Sequence, residues 1–228
     1  QQGRAQLNSK LAHRQDQYGA VVQIPEDAIL LEYKRRFVEY KRPWMPFEDI
    51  EQLKGILVSY NAHYIMAGMI AGNVSADDST YQKLASMLQR IADDPVLRRR
   101  VHYITDYDEN LARVMSFGSD ISVNVPVVGL EACGTSFMKD LANLALLVTT
   151  NDGGVADVAP PTTLLVSGDD YQEEVSSLYS RLRQAINICH HDDRWSDAVA
   201  TTLASYLATI CGARMMRDYL HYLFRSDD

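Results

Sequence analysis

The sequence predicts an α/β fold, a Rossmann-like parallel sheet with helices on both faces and a helical C-terminal tail. Three observations carry this prediction. Short apolar runs of strand length alternate with stretches of helical apolar spacing from Ala28 to Ser167. Glycine-bearing turns separate them, as at Asn151-Asp152-Gly153-Gly154. Past Asp169 the spacing is helical to the end.

The elements follow in order. Residues 1–24 are polar, with Leu7, Leu11 and Val21 as scattered apolar positions, and read as a loose helix and a lead-in. Ala28-Ile29-Leu30-Leu31, after Pro25, reads as a buried strand. Between Phe47 and Tyr60, Ile50, Leu53, Ile56 and Leu57 share one helical face. His63 to Ala67 is a strand ending at Gly68. Leu84, Met87, Leu88 and Ile91 mark a helix over Thr80 to Ala92. Val101 to Thr105 is strand-like, Asn110 to Met115 helical and Asp120 to Val123 strand-like. A helix carrying Lys139 comes next, then strands at Leu144 to Thr150 and Thr163 to Ser167. In open sheets of this kind, ligands gather beyond the carboxyl ends of the strands. The segments at Arg35, Tyr107 and Gly134 each follow a predicted strand and converge there.

Composition narrows the classes. At 228 residues, 46% hydrophobic and 23% charged, the chain can bury a substantial core. A formal charge of −8 argues against general nucleic-acid binding. No apolar run reaches membrane-span length, and no hydrophobic leader follows Gln1-Gln2-Gly3-Arg4. Cys133, Cys189 and Cys211 show no CxxC spacing, which argues against a zinc site or a disulfide framework and for a reducing, cytoplasmic compartment. His190-His191-Asp192-Asp193 suggests metal ligands at first sight. Adjacent helical residues point in different directions, however, so a structural role is favoured and no metal is expected.

Two segments carry chemistry. Lys34, Arg35, Arg36, Lys41 and Arg42 place five cations in nine residues just after a strand, a cluster suited to a phosphate dianion. A solvated basic edge explains it as well. Glu131-Ala132-Cys133-Gly134-Thr135-Ser136-Phe137-Met138-Lys139 reads as a turn feeding a helix. Gly134 lets the backbone bend closely, Thr135 and Ser136 suit an N-cap, and Lys139 lies one turn inside. A lysine beside a phosphate-sized pocket is what a Schiff-base cofactor needs. An ordinary capped helix with a solvated lysine is the plainer account.

The second segment resembles the pyridoxal-phosphate lysine motif of the α-glucan phosphorylases (glycogen, starch and maltodextrin phosphorylases). Arg35-Arg36-Phe37-Val38-Glu39-Tyr40-Lys41-Arg42 is similar to that family's basic segment. Asp106-Tyr107-Asp108 with Leu111-Ala112, then Asp120 to Pro126, follows the family's order, and Arg214 to Tyr219 is similar to its closing helix. The resemblance implies the C-terminal domain of a GT-B glycosyltransferase fold, with residues 1–24 a lead-in from a missing N-terminal half and residues 25–228 the domain itself. It implies pyridoxal phosphate on Lys139, its phosphate held by Gly134, Thr135 and Arg35, with Tyr107 packed beside it. It further implies substrate phosphate on Arg36 and Lys41, and the glucosyl unit on Glu131 with the Cys133 and Gly134 backbone. The implied activity is reversible phosphorolysis of α-1,4-glucan to glucose 1-phosphate, in glycogen metabolism. That activity would be completed by an N-terminal domain or a partner chain, in a protein able to form homo-oligomers. The departures are Met69 and Leu144 where the family has lysine and glycine, Asp157 where it has glutamate, and the bulk of Phe137. They fit a second expectation, a diverged non-catalytic domain serving as a binding or assembly subunit.

Overall fold

The computed structural model describes residues 2–70 and 78–224; Gln1 and Asp228, the outer bounds of the two segments read from the sequence, lie outside them. Six strands form one all-parallel sheet: β1 (Ile29–Lys34), β2 (Ala62–Ala67), β3 (Val101–Ile104), β4 (Ile121–Asn124), β5 (Leu146–Thr150) and β6 (Leu164–Val166). Their spatial order is β3-β2-β1-β4-β5-β6. The order reverses between β1 and β4. In doubly wound sheets the crevice at such a reversal is where ligands bind.

Eleven helices accompany the sheet among the described residues. They are α1 (Gln2–Leu11), α2 (Ile50–Ser59), α3 (Ser79–Asp93), α4 (Leu97–Arg100), α5 (Glu109–Gly118), α6 (Ser136–Ala142), α7 (Gly154–Val158), α8 (Tyr171–Cys189), α9 (Asp192–Thr202), α10 (Ala208–Ile210) and α11 (Gly212–Leu223). A π-helical turn, Leu203–Leu207, joins α9 to α10. Aspartates cap α2, α3, α5 and α8 by accepting first-turn N–H bonds, which sets where these helices start. None of the helices is long and apolar enough to cross a membrane.

Strand alternation sends side chains to two different interiors. Ile29, Leu31 and Tyr33 of β1 join a large apolar cluster under α2, α3 and α8. On the opposite face the interior is split. One cluster gathers Leu30, Ile65 and Ile104 under α1 and α5. A smaller one gathers Leu147 with Phe137 and Leu141 of α6, Val155 of α7 and Tyr206. Glu32, Lys34, Ser122 and Thr149 are buried on the strands between them. This face therefore carries a polar seam along the reversal point.

Several boundaries differ from those read in the sequence. β1 runs on to Lys34, so the first cation of the basic cluster is a strand residue and not a loop residue. The lead-in is built into the body: Leu7, Leu11, Val22 and Ile24 are fully or nearly buried, whereas Val21 is 62% exposed. Arg4 fastens it by donating to the carbonyls of Gly118 and Ala28, each at 2.9 Å, and to Asp120 at 2.8 Å. Gly153-Gly154, read as part of a turn, opens the short helix α7. In the tail, α8 buries Val175, Leu178, Leu182 and Ile186, while α11 has no buried residue.

Leu144 is the costly residue of the turn between α6 and β5. It sits at φ +68° in the left-handed region, where a Cβ costs about 1–2 kcal/mol. Glycine needs no such strain but loses more freedom on folding. Leu144→Gly is expected to stabilise the fold by about 0.5 kcal/mol, read as a raised urea midpoint. A fall of more than 1 kcal/mol would show that the Leu144 side chain matters more than its backbone.

Candidate functional site

The loops leaving β1, β4 and β5 meet at the reversal point. Lys41 follows β1 and Glu131 follows β4, and their side chains form an ion pair that is only 8% exposed on each side. Asp152, after β5, fixes the turn that presents Glu131 by accepting its backbone N–H at 2.8 Å. Burial works to raise the Asp152 carboxyl, but backbone N–H donors around it, that of Glu131 first, win and hold it below its ordinary range. Gly153 is forced by contact: at φ +54°, a Cβ would lie 2.8 Å from the Glu131 carbonyl and 2.9 Å from that of Cys133. The Cys133 carbonyl accepts from Gly154 N at 2.9 Å, so Cys133 acts through its backbone while its side chain is exposed. Gly134 has φ +72°, and a Cβ there would press on the Glu131 carboxyl carbon at 3.0 Å. The Glu131 side chain is thus folded back over Gly134 and held by Lys41.

Arg42 fastens the same wall from beneath. It donates to the Val125 carbonyl at 2.8 Å and the Pro126 carbonyl at 3.0 Å, and pairs with Glu174 of α8. Thr150 adds a bond to the Pro126 carbonyl at 2.7 Å. The exit from β4 is therefore gripped by β1, β5 and α8 together.

Deeper along the seam lies a second cluster. Lys34 pairs with both Glu32 and Asp140, and Arg35 pairs with Asp140 at 3.0 Å. Glu32 and Asp140 are completely buried, and Lys34 and Arg35 are about 5% exposed or less. Ser122 and Ser116 donate to the two Asp140 oxygens at 2.7 and 3.0 Å. Two acids here face two cations. Burial works to raise the Asp140 carboxyl, yet Lys34 and Arg35 outweigh it and bring it down to about 2. Burial wins at Glu32, which is pushed up to about 7 against the pull of Lys34. Arg35 Nε and Nη1 and Glu32 Oε2 are buried with no hydrogen-bond partner.

Of the remaining expected site residues, Tyr107 lies close enough to Glu32 and Arg35 to feel both charges, and the others lie outside this packing. Arg36 and Lys139 are exposed, and neither side chain has an ion-pair partner among the described residues. Thr135 holds the N-cap position of α6 in helical geometry, and its side chain makes no capping bond. Tyr107 is half-buried against the α1–α5 cluster. The structure joins Lys41, Glu131, Cys133 and Gly134 in one wall and Arg35 to the buried seam; it leaves Lys139, Thr135 and Arg36 on the surface. His190 and His191 turn to separate backbone carbonyls, those of Tyr60 and Asn187, at 3.2 and 2.7 Å.

The fit of this site to pyridoxal phosphate follows from these contacts. The cofactor needs a lysine amine facing a cavity and cations free to meet its phosphate. Lys139 is exposed; it does not line the cavity between Arg42, Trp44 and Tyr171 or the one beside Asp120 and Leu144. Four of the five clustered cations already hold carboxylates. The unpartnered Arg35 donors and the exposed Arg36 favour an added anion. As arranged, these residues do not fit the cofactor.

Sequence reasoning missed Glu32, Asp140, Asp152, Ser122 and Glu174. The signal for Glu32 was present: Leu30, Glu32 and Lys34 share one face of a strand whose other face is wholly apolar. Asp140, between the inward Phe137 and Leu141 of α6, carried a weaker signal of the same kind.

A carbohydrate phosphorylase family model matches residues 5–228. Glycogen phosphorylase of Aquifex aeolicus is 28% identical over 214 residues, covering 88% of this chain and 31% of that protein. Glycogen phosphorylase of Mycobacterium tuberculosis is 28% identical over 208 residues, covering 84% of the chain and 24% of that protein. Maltodextrin phosphorylase of Thermococcus litoralis is 25% identical over 229 residues, covering 94% and 27%. The chain spans about a quarter to a third of the length of these curated relatives.

Asp140 is the hinge of the buried cluster. Asp140→Asn leaves Lys34 and Arg35 with one carboxylate between them, and is expected to cost about 3–5 kcal/mol by denaturant unfolding. The folded Asp140 value lies below its ordinary 3.8, so its contribution is complete above pH 3.8 and is lost as pH falls through about 2. The variant should lack that part of the acid transition. A loss under 1 kcal/mol would show that the cluster does not hold the fold.

Proposed function

This chain belongs to the carbohydrate phosphorylase family, and from that premise we propose that it forms the C-terminal wall of an α-glucan cleft and binds the glucan there without carrying out turnover itself. The observation that supports this best is the Lys41–Glu131 pair, set across the reversal point on a turn that Asp152 and Gly153 fix. A carboxylate held in one position beside a ligand crevice suits the hydroxyls of a sugar ring, which donate to it in directions set by the ring. Lys41 holds Glu131 in place through their ion pair. Arg36, exposed on the same strand exit, offers a planar guanidinium to a phosphate group or a sugar oxygen.

The wall needs a facing half. The relatives are roughly three to four times longer than this chain, and α11 presents Met215, Met216, Tyr219 and Leu223 to solvent. We take the occupant of that face to be the remaining part of a phosphorylase-like protein, covalent or separate. The three free cysteines agree with a reducing, cytoplasmic setting for it.

The enzymatic reading has its own support in the Glu131–Lys139 motif and in the unpartnered Arg35 donors. On that reading the completed protein carries out reversible phosphorolysis of α-1,4-glucan to glucose 1-phosphate. Glucose 1-phosphate release by the full natural polypeptide separates the two readings.

Maltoheptaose binding, followed by calorimetry, tests the wall itself. The chain is expected to bind, and Glu131→Gln to bind about tenfold more weakly, the cost of about one charge-assisted hydrogen bond. Thermal melts of both proteins show whether the fold is kept. A folded wild type that binds no maltooligosaccharide would overturn the assignment.

A further inference from the structure

We propose that the buried cluster of Glu32, Lys34, Arg35 and Asp140 takes the structural place of a pyridoxal phosphate, so that the chain folds with no cofactor on Lys139. Three observations lead here. The first is direction. On α6 the inward side chains are Phe137, Asp140 and Leu141. Successive helical residues are turned by about 100°, so Lys139 cannot share the inward line of Asp140, and it is exposed. The residue that α6 sends into the seam is an acid and not the lysine.

The second is charge. Arg35, the cation expected to hold the cofactor phosphate, already donates to Asp140 at 3.0 Å and to Ser122 at 3.2 Å. Lys34 beside it is shared by Glu32 and Asp140. A phosphate dianion at this point would face the fully buried Asp140 carboxylate, a repulsion that little solvent is present to screen. Lys34 and Arg35 already have Asp140 as their counter-ion. The third is space. The cradle over Gly134 is filled by the Glu131 side chain, whose carboxyl carbon lies 3.0 Å from where a Cβ would stand.

In a cofactor-bearing protein, the group would tie this helix to the β1 exit. Here Asp140 makes the tie directly, accepting from β1, the residue after it, β4 and α5.

The test uses the full natural polypeptide, purified from cells supplied with pyridoxine and then incubated with excess pyridoxal phosphate. Borohydride reduction and peptide mass analysis follow. The expected result is no aldimine absorbance in the purified protein, and pyridoxyl spread over exposed lysines, with Lys139 labelled no more than Lys83. Lys139→Ala should melt at the wild-type temperature, with or without added pyridoxal phosphate. One pyridoxyl group per chain, concentrated on Lys139, would overturn the proposal. So would a melting temperature that rises with pyridoxal phosphate in the wild type and not in Lys139→Ala.

Discussion

The Asp140 carboxylate, buried and shared between Lys34 and Arg35, is the contact on which the rest of this structure depends. It joins α6 to β1 at the point where the strand order reverses. Two apolar clusters on this face of the sheet, one under α1 and α5 and one under α6 and α7, do not merge across it. A seam that interrupts a core must be satisfied by hydrogen bonds and matched charge, because an unpaired buried ion costs several kcal/mol. Asp140 meets that requirement with four donors.

The wall above the seam inherits its geometry. With α6 fixed, the turn from Glu131 to Thr135 has little freedom, and the β5 exit locks it through Asp152 and Gly153. Arg42 braces the same loop to α8. Glu131 and Lys41 are thereby positioned by three strand exits and two helices, the kind of rigid support a binding constellation requires. The reversal point supplies the crevice and the loops supply the chemistry, which is why family membership alone does not decide between binding and turnover.

Much of the fold was legible in the residues. The alternation of Ile29-Leu30-Leu31 with the Leu53–Leu57 stripe gave strand and helix in the right order, and the parallel sheet followed. The resemblance carried by Glu131 to Lys139 agrees with the family match over residues 5–228. What the sequence hid was orientation. A lysine and an aspartate side by side at 139 and 140 look alike to any spacing argument until it is known which of them the sheet covers. The cation cluster misled in the same way: five positive residues read as a phosphate seat, but Lys41, Arg35, Lys34 and Arg42 meet acids 90, 105, 106 and 132 positions away in sequence. Pairings that distant form only when the sheet assembles. Val21 is 62% exposed and its neighbour Val22 only 3%, a difference that composition alone does not show.

Amine footprinting of the native protein tests the central geometric claim most directly. A brief acylation followed by peptide mass analysis reports which lysine amines meet solvent. The account predicts that Lys139 is modified as fast as the exposed Lys83, while Lys34 and Lys41 are modified only on unfolding. A protected Lys139 together with a reactive Lys34 would contradict it, because the helix would then send its lysine, and not Asp140, into the seam.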